Sequence, residues 1–372
     1  MIHASGRARP PVSGRLTQGR NMALRLAGDF DTTYAHDMAV IRNRGQWVLT
    51  IVFLIALFGL PFYADAIILS MINLIGISII AAQGLNLLVG YTGQISLGQA
   101  AFMAVGAYTS AALVRNGVPF WFALPLAGLM GGFIGLIFGL PSLRIKGFYL
   151  AMATLAAQFI IPWFFRNVRV DLFGGMPGLS VPSPRLGDIV FNSQQTMFFP
   201  IIGTVVVCTI LAKNIARTRL GRALLAIRDN DLAAEVLGIN AFSHKLRAFF
   251  LSAFYAGLAG SLWAHYARSL NPEQFSLLGS VWYLGMVIVG GMGSALGPIL
   301  GATFVRLLDE FTIQVTPMLS KVFPGVEAGL LAAMGPMLFG LALMLFLIFE
   351  PRGLAHRWEL LKAAWRLRPF AH

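Results

Sequence analysis

Ten apolar blocks, most of them long enough to cross a lipid bilayer, constrain the fold of this 372-residue chain more than any other feature. A hydrocarbon core of about 30 Å needs about 20 apolar residues per helix, because every backbone N–H and C=O must be paired inside the segment. A hydrophobic content of 57% and a mean hydropathy of +0.73 fit that pattern. We therefore expect an all-α, polytopic membrane protein with about ten transmembrane helices. The expected spans are 47–63, 67–90, 97–114, 119–140, 147–165, 196–212, 249–267, 275–291, 296–312 and 333–349.

The basic residues indicate how the chain is oriented. A net charge of +13 would also suit a nucleic-acid-binding protein, but the Arg and Lys residues cluster beside the apolar blocks. Cytoplasmic loops of membrane proteins carry such an excess of positive charge. Clusters precede the first span and follow the fourth, the sixth and the last. Both termini are therefore expected in the cytoplasm, as an even number of spans requires, and no nucleic-acid partner is expected.

Composition divides the chain into a membrane domain, two tails and two longer connections. Residues 1–46 are expected to be a disordered basic cytoplasmic tail, 47–350 the transmembrane domain and 351–372 a basic cytoplasmic tail. Inside the domain, 166–195 is expected on the outer face and 213–247 on the inner face. The outer loop is rich in Gly and Pro, which prevent a regular helix. It is either a docking surface or a simple connector.

The start of the chain shows no cleavable signal peptide. An Arg-rich stretch of more than forty residues precedes the first apolar run, which is expected to remain as an uncleaved anchor. Met22 and Met38 are alternative start positions. The single cysteine, Cys208, falls inside the sixth span, where a small apolar filler is the common role of this residue type.

Motifs for catalysis are missing from the sequence. There is no GxxxxGK[ST] phosphate-binding loop and no HExxH, CxxC or GxSxG motif, so an enzyme is not expected, nor any metal site or cofactor bound by this chain. The second to fifth spans contain no carboxylate, and Asp309, Glu310 and Glu350 are expected in loops or at helix ends. Proton-coupled secondary transport is therefore disfavoured, whereas Na⁺ bound by backbone carbonyls stays open.

Small residues at regular spacing predict close helix packing. Gly131, Gly135 and Gly139 in the fourth span, and Ser252, Ala256 and Gly260 in the seventh, recur every four residues. Such positions let two helix backbones approach each other. Packing within the chain is the main interpretation, with a contact between subunits as the alternative.

Two Gly-rich interruptions, Gly90–Tyr108 and Gly290–Phe304, resemble each other weakly. Each places helix-breaking glycines before a helix of small residues, a pattern typical of broken helices in corresponding halves of a transporter. If the repeat holds, the N–H groups that open these helices, near Ser96 and Ser294, would face an anionic group of a substrate.

Neutral polar side chains interrupt the apolar spans. Amides and hydroxyls in a bilayer must be hydrogen-bonded inside the bundle or face water, because an unpaired group costs several kcal/mol. Hydrogen bonding between helices is one interpretation, and a position on a translocation path is the other. The candidates for the path are Gln83, Asn86, Gln94, Ser96, Gln99, Gln158 and Ser294.

The inner segment 213–247 is amphipathic and interrupted. Leu220, Leu224 and Ile227 recur at helical spacing, and a polar run then precedes a second short helix that starts near Leu232. Asp229 or Asn230 is expected to cap this helix, and Gly238 to end it in a left-handed conformation. Its two alanines would permit close approach of a partner, with Asp231 and Glu235 available for charge pairs. A helix lying on anionic lipid is the alternative.

At these residues the chain resembles the branched-chain amino-acid permease family of ABC importers, in particular its LivM-type subunits. The segment RDNDLAAEVLGIN is similar to the EAA-x3-Gly loop of such permeases, GLNLLVGYTGQISLGQAAFMAVGAY to an early signature and GGMGSALGPILGA to a late one. Leu232 stands where the motif has Glu. The resemblance implies that an ATPase contacts a set of residues here, namely Arg222, Arg228, Asp229, Asp231, Leu232, Ala233, Ala234, Glu235 and Gly238.

The resemblance also implies a function and partners. The chain would be one permease subunit of an ATP-driven importer of Leu, Ile and Val in a bacterial inner membrane, working by alternating access. Its partners would be a homologous LivH-like permease, two ABC ATPase subunits that bind ATP and Mg²⁺, and a periplasmic substrate-binding protein. Urea or short-chain amides are alternative substrates, and an ion-coupled secondary transporter is the competing class.

Overall fold

The computed structural model describes residues 44–140, 148–168, 170–175, 177–186, 189–322 and 328–366. Most of the predicted tail 1–46, basic residues Arg144 and Lys146, and the last six residues lie outside these ranges. The helices are α1 (Arg44–Gly59), a 3₁₀ turn (Leu60–Phe62), α2 (Ala66–Thr92), α3 (Gln99–Arg115), α4 (Phe120–Gly139), α5 (Phe148–Asn167), α6 (Val170–Phe173), α7 (Gln194–Arg217), α8 (Arg219–Asp229), α9 (Asp231–Val236), α10 (Ala241–Ala267), a 3₁₀ turn (Pro272–Gln274), α11 (Leu277–Gly290), α12 (Gly297–Val322), α13 (Ala328–Phe349) and α14 (Gly353–Arg366).

The all-α prediction is confirmed, and every predicted span overlaps a helix. The count of ten crossings is not confirmed. In the described ranges five helices are long and apolar enough to cross a bilayer, namely α2, α4, α5, α7 and α10, and a bent pair formed by α13 and α14 raises the number to six. One cause is length: α11 has 14 residues, fewer than the roughly 20 that a span requires.

Helix α10 lies at the centre of the bundle and packs against α2, α3 and α4. The approach is so close that a Cβ at Gly260 would overlap the carbonyl of Met103, and one at Gly106 would overlap the carbonyl of Gly257. In α4, Gly131 and Gly135 face Ala253 in the same way. The prediction of close packing at small residues is confirmed, and the partners lie within this chain.

Helix α3 begins deep inside the bundle. The Nε2 of its first residue, Gln99, donates to the carbonyl of Ala81 at 2.7 Å. Ala81 precedes the end of α2 by eleven residues, which corresponds to about 16 Å of helix. Segment 93–98 therefore returns along α2 without helical structure before α3 starts. This is a broken-helix geometry, as the Gly-rich sequence predicted.

Segment 166–195, which the sequence predicted on the outer face, contains short ordered pieces instead of a continuous helix in its described residues. Strand β1 (Leu179–Ser180) pairs antiparallel with β4 (Ser269–Leu270), and β2 (Arg185–Leu186) pairs with β3 (Ile189–Val190). The Nδ1 of buried His265 lies 2.9 Å from the carbonyl of Pro182. These contacts hold the loop against the end of α10.

Candidate functional site

Residues 230–238, which comprise α9 and its two caps, are called the knob below. The side chain of Asn230 accepts a hydrogen bond from the backbone N–H of Ala233 at 3.0 Å and so caps the helix. Gly238 ends it at φ +84°, and the N–H of Ile239 bonds the carbonyl of Ala234 at 3.0 Å. Both predicted caps are confirmed, with Asn230 as the N-cap of the two candidates. An N-cap contributes about 1 kcal/mol, so local sequence alone favours this turn.

The knob turns an apolar face outward. Leu232, Val236 and Leu237 are 65%, 88% and 80% exposed, whereas Ala234 is buried against Ile227 of the preceding helix. Only Ala233 of the predicted alanine pair therefore has an open surface. A helix of only six residues that packs on one side can bury a single position, and this position is Ala234. The surface open to a partner is therefore formed mainly by large apolar side chains, and not by the pair of alanines that the sequence suggested.

The charged residues of the segment divide into internal and exposed groups. The Asp231 carboxylate lies 3.5 Å from Lys245 Nζ and so ties the knob to α10. Arg222 is exposed and donates to the carbonyl of Arg217 at 3.0 Å. Asp229 pairs with Arg228 at 3.6 Å, and Glu235 is exposed. Exposed pairs of this kind contribute at most about 1 kcal/mol.

Arg228, which lies in α8 two residues before the knob, contacts both Gly-rich interruptions. Its Nη1 donates to the carbonyl of Gly90 at 2.6 Å, near the end of α2. A Cβ at Gly293 would lie 2.9 Å from the same Nη1. Asn86, four residues before the first interruption, binds the second one: its Oδ1 accepts from Gly293 N at 2.8 Å and its Nδ2 donates to the Ser294 carbonyl at 2.9 Å. The two weakly similar segments thus meet under the knob.

A cleft of about 380 Å³ opens beside this junction. It is lined by Thr92, Gly93, Gln94 and Ile95 from the end of α2 and by Arg228, Asp231 and Lys245 from the knob region. Of the polar residues proposed for the path, Gln94 therefore lies in this cleft, beside the junction that contains Asn86 and Ser294.

Most polar atoms of the buried amides in the described bundle bind other protein groups, whereas Gln83 Oε1 and Asn73 Oδ1 have no hydrogen-bond partner among the described residues. Gln158 Oε1 accepts from Ala101 N at 3.1 Å and from Ser280 Oγ at 2.7 Å. Gln99 Oε1 accepts from Ser252 Oγ at 3.4 Å. Gln83 Nε2 donates to Thr209 Oγ1 at 2.6 Å. This geometry fits the interpretation that these amides bond helices to one another.

The N–H groups near Ser96 are not open to an anion. Leu97 N donates to Thr154 Oγ1 at 3.0 Å, Ala100 N to Ser280 Oγ at 2.9 Å, and Gly98 N to the Oγ of buried Ser96 at 3.4 Å. Near the other interruption, Gly297 N donates to Ser294 Oγ at 2.8 Å. The expectation of free donors at these helix starts is therefore wrong, because side chains of this chain pair them: Thr154 and Ser280 from distant helices, and Ser96 and Ser294 from nearby.

The predicted position of two acidic residues is wrong. Asp309 and Glu310 were expected at a helix end, but α12 continues to Val322, so both lie in the middle of that helix. Arg306 Nη1 lies 3.5 Å from Asp309 Oδ2, and Arg306 Nε donates to Ser78 Oγ at 2.8 Å. The spacing of three residues between opposite charges was the available signal.

Residues 67–348 match the family described as branched-chain amino acid transport system, permease component. The high-affinity branched-chain amino acid transport system permease protein LivM of Escherichia coli K12 is 34% identical over 295 residues, which cover 72% of this chain and 69% of that protein.

More distant relatives share the same region. A probable branched-chain amino acid transport permease protein LivM of Methanocaldococcus jannaschii is 25% identical, covering 62% of this chain and 67% of the relative. The ribose import permease protein RbsC of Haemophilus influenzae is 22% identical, covering 71% and 82%. No solved structure matches.

These matches cover the broken helices, the knob and the central helix α10. Together with the apolar helices they make the chain a multi-pass inner-membrane protein that works with other components of an ABC transporter. The chain belongs to the family of permease components of branched-chain amino-acid transport systems, with LivM-type relatives.

Proposed function

We propose that this chain is one permease subunit of an ATP-driven importer of Leu, Ile and Val, and that the knob docks onto an ABC ATPase subunit. In this proposal ATP and Mg²⁺ bind to the ATPase subunits alone. A second, LivH-like permease completes the pore, and a periplasmic binding protein delivers the substrate. Both termini lie in the cytoplasm. The names of the relatives support the substrate class, and the knob carries the proposed contact.

The exposed apolar face of the knob is the observation on which this proposal depends. Three large apolar side chains are exposed here: Leu232 and Val236 on a helix of six residues, and Leu237 directly after it. Removing apolar surface from water yields about 25 cal/mol per Å², so a protein groove would be stabilised by covering them. Anionic lipid is a poorer partner, because the exposed Glu235 carboxylate lies on the same turn.

The contacts of Arg228 suggest how a movement of the knob reaches the pore. Closure of the two ATPase subunits on ATP would displace the knob, and Arg228 would carry the displacement to Gly90 and Gly293. Both glycines lie where helices are interrupted, so α2 and α12 would re-orient about those breaks. The work comes from the different affinities of the two transporter states for nucleotide.

A pair of matched substitutions tests the docking surface. Leu232→Asp places a charge on the knob, whereas Leu361→Asp makes the same change at a residue of equal exposure on α14, 64% against 65%. We expect Leu232→Asp to abolish co-purification of the ATPase subunits and stimulation of ATPase activity by the loaded binding protein. Leu361→Asp should retain both. Normal stimulation in Leu232→Asp would contradict the proposed contact.

The proposed substrate is tested on the partner that recognises it. A thermal-shift screen of the cognate periplasmic binding protein should show stabilisation by leucine, isoleucine and valine. Ligands stabilise a protein by mass action, so the shift should grow with ligand concentration. Stabilisation by urea or short-chain amides alone would assign the importer to that alternative substrate class.

A further inference from the structure

A cavity of about 620 Å³ lies between α3, α10, α11, α12 and α13. Pockets for small molecules range over about 300–1,000 Å³, so its size suits a ligand such as an amino acid. Apolar side chains form most of the wall, among them Met103, Trp263, Leu278, Trp282 and Met286. The sequence-based candidates for the translocation path do not line it.

Two opposite charges face this cavity. Arg306 and Asp309 both line it, with side chains 20% and 33% exposed. Their closest N···O distance is 3.5 Å, longer than the roughly 2.7–2.9 Å of a tight charge-assisted hydrogen bond. The guanidinium has five N–H donors; its Nε is bonded to Ser78, and it also donates to the hydroxyl oxygen of Tyr283, another residue of the cavity wall. Arg306 and Asp309 therefore form only a loose ion pair, and the pair retains hydrogen-bonding capacity for a ligand.

The pair lies near the middle of the predicted membrane layer. The N-terminus of α12, at Gly297, is next to the Gly293 loop that contacts Arg228 on the predicted inner side. Arg306 follows Gly297 by nine residues and Asp309 by twelve, which is about 14 and 18 Å along the helix. A hydrocarbon core is about 30 Å thick. Ionisable residues at this depth are costly, and they commonly mark the pathway of a substrate.

We propose that this cavity is a transit site for a zwitterionic α-amino acid with an apolar side chain. Its carboxylate binds Arg306, its ammonium group binds Asp309, and its side chain lies against the apolar wall. Ligand and pair are each neutral overall, so binding adds no net charge to the membrane interior. Every charge gains an opposite neighbour, which compensates the cost of removing it from water.

This inference rests on the proposed import function and adds a discriminating step inside the pore. A molecule without charged groups, such as urea, has no carboxylate for Arg306 and no ammonium group for Asp309. A carboxylic acid or an amine of the same size offers one, and would leave the other member of the pair without a ligand charge. The cavity should therefore prefer zwitterions over all three.

A single introduced cysteine reports occupancy of the cavity. Ile313 lines it and is 59% exposed, so Ile313→Cys in a Cys208→Ser background gives one reactive thiol. The variant is assembled with its partner subunits in membrane vesicles and reacted with a methanethiosulfonate reagent. Leucine should slow labelling, whereas urea, 4-methylpentanoate and 3-methylbutylamine at the same concentration should not.

Substitution of the pair completes the test. Arg306→Gln and Asp309→Asn should each raise the half-protecting leucine concentration by about 10- to 100-fold, as expected for loss of a hydrogen bond to a charged group. A pair that only ties α12 to α2 would give no leucine protection in the parent protein. Three results would overturn the proposal: no protection by leucine in the parent protein, equal protection by the single-charge analogues, or unchanged protection in both variants.

Failure of the transit site and failure of the proposed function give different results. The Arg306→Gln and Asp309→Asn variants should still bind the ATPase subunits through the knob, and co-purification measures this separately. If the chain were not an ATP-driven permease, co-purification would fail in the parent protein as well. Melting temperatures of the purified complexes control for unfolding of the variants.

Discussion

The centre of α10 and the knob both depend on glycine, but for opposite physical reasons. At Gly260 the backbone is an ordinary helix and there is no room for a Cβ, because the carbonyl of Met103 occupies the space. At Gly238 nothing lies within 4 Å of a Cβ, and φ is +84°, a conformation that side chains disfavour. The first glycine is required by neighbouring helices and the second by the local turn.

This difference separates the part of the molecule that must fold from the part that must bind. The bundle around α10 is fixed by contacts between backbones. The knob is fixed by two caps, one buried alanine and one ion pair, and its apolar face is open. Substitutions in α10 should therefore remove the folded protein, whereas substitutions in the knob should leave it in the membrane without its coupled activity.

The largest effect is expected at Gly260. Gly260→Ala introduces a methyl group into the Met103 carbonyl and should destabilise the protein by at least about 1–3 kcal/mol, as overpacking does. Gly203→Ala, in α7 where nothing lies within 4 Å, is the control and should stabilise its helix by about 0.5–1 kcal/mol. Thermal melting of the purified protein measures both. Equal melting temperatures for the two variants would contradict the packing account.

Knob substitutions should abolish transport but not insertion. Gly238→Val forces a β-branched residue into the left-handed region, at a cost of about 1–2 kcal/mol or more, and distorts the end of α9. Ala233→Arg places a long charged side chain on the open face of the knob. Uptake of leucine and substrate-stimulated ATPase activity should be lost in both.

Gly117→Val is the matched control for the Gly238 substitution. Gly117 has φ +88° and open surroundings, so it suffers the same backbone strain outside the knob, in the turn between α3 and α4. This variant should transport nearly normally. Equal loss of transport in both variants would show that strain anywhere, and not the knob surface, causes the defect.

An intermediate effect is expected at Arg228. Arg228→Gln removes the charged donor to Gly90 but leaves the exposed apolar face unchanged, so ATPase subunits should still bind. Loss of a hydrogen bond to a charged group is worth about 1.5–3 kcal/mol, and uptake per ATP hydrolysed should fall by about tenfold or more. Arg357→Gln, which removes the ion pair between exposed Arg357 of α14 and Glu350, outside the junction, should have little effect. An unchanged transport-to-ATPase ratio in Arg228→Gln would exclude the junction as the connection.

The smallest effects are expected from buried amides. Asn86→Ala leaves Gly293 N without its partner, and Gln99→Ala removes the bonds to the Ala81 carbonyl and to Ser252 Oγ. Each loss costs about 1–3 kcal/mol and should reduce transport several-fold. Phe159→Ala, at a side chain 62% exposed on the outer surface of α5, should be tolerated. Initial uptake rates normalised to the amount of inserted protein give the comparison. Equal tolerance at all three sites would remove the amides from any role in transport.

The sequence predicted best what local chemistry decides. Asn230 and Gly238 cap the knob through contacts within a few residues, so their types alone identified the turn. The glycines of α4 were identified because four-residue spacing places them on one helix face. In both cases the signal and its cause lie in the same short segment.

The sequence did not predict features that depend on contacts between residues far apart in the chain. Nothing near Ser96 in the sequence reveals that Thr154 and Ser280 bond the N–H groups that open α3. The predicted ninth span ended at Thr312, although α12 continues for another ten residues to Val322. This error placed Asp309 at a helix end. The position of Asp309 in the middle of a helix also removes one argument against ion coupling. Family membership, and not a shortage of acids, therefore identifies the class of transporter.

Accessibility of one knob residue tests the central claim most directly. Val236 is 88% exposed, so Val236→Cys in a Cys208→Ser background presents a reactive thiol at the knob. Leu361→Cys in the same background serves as a matched thiol on α14. A membrane-impermeant reagent should label the Val236→Cys variant only in inside-out vesicles, and assembly with the ATPase subunits should block this labelling but not that of Leu361→Cys. Labelling of the knob thiol from the outer face, or labelling unaffected by the ATPase subunits, would contradict the account.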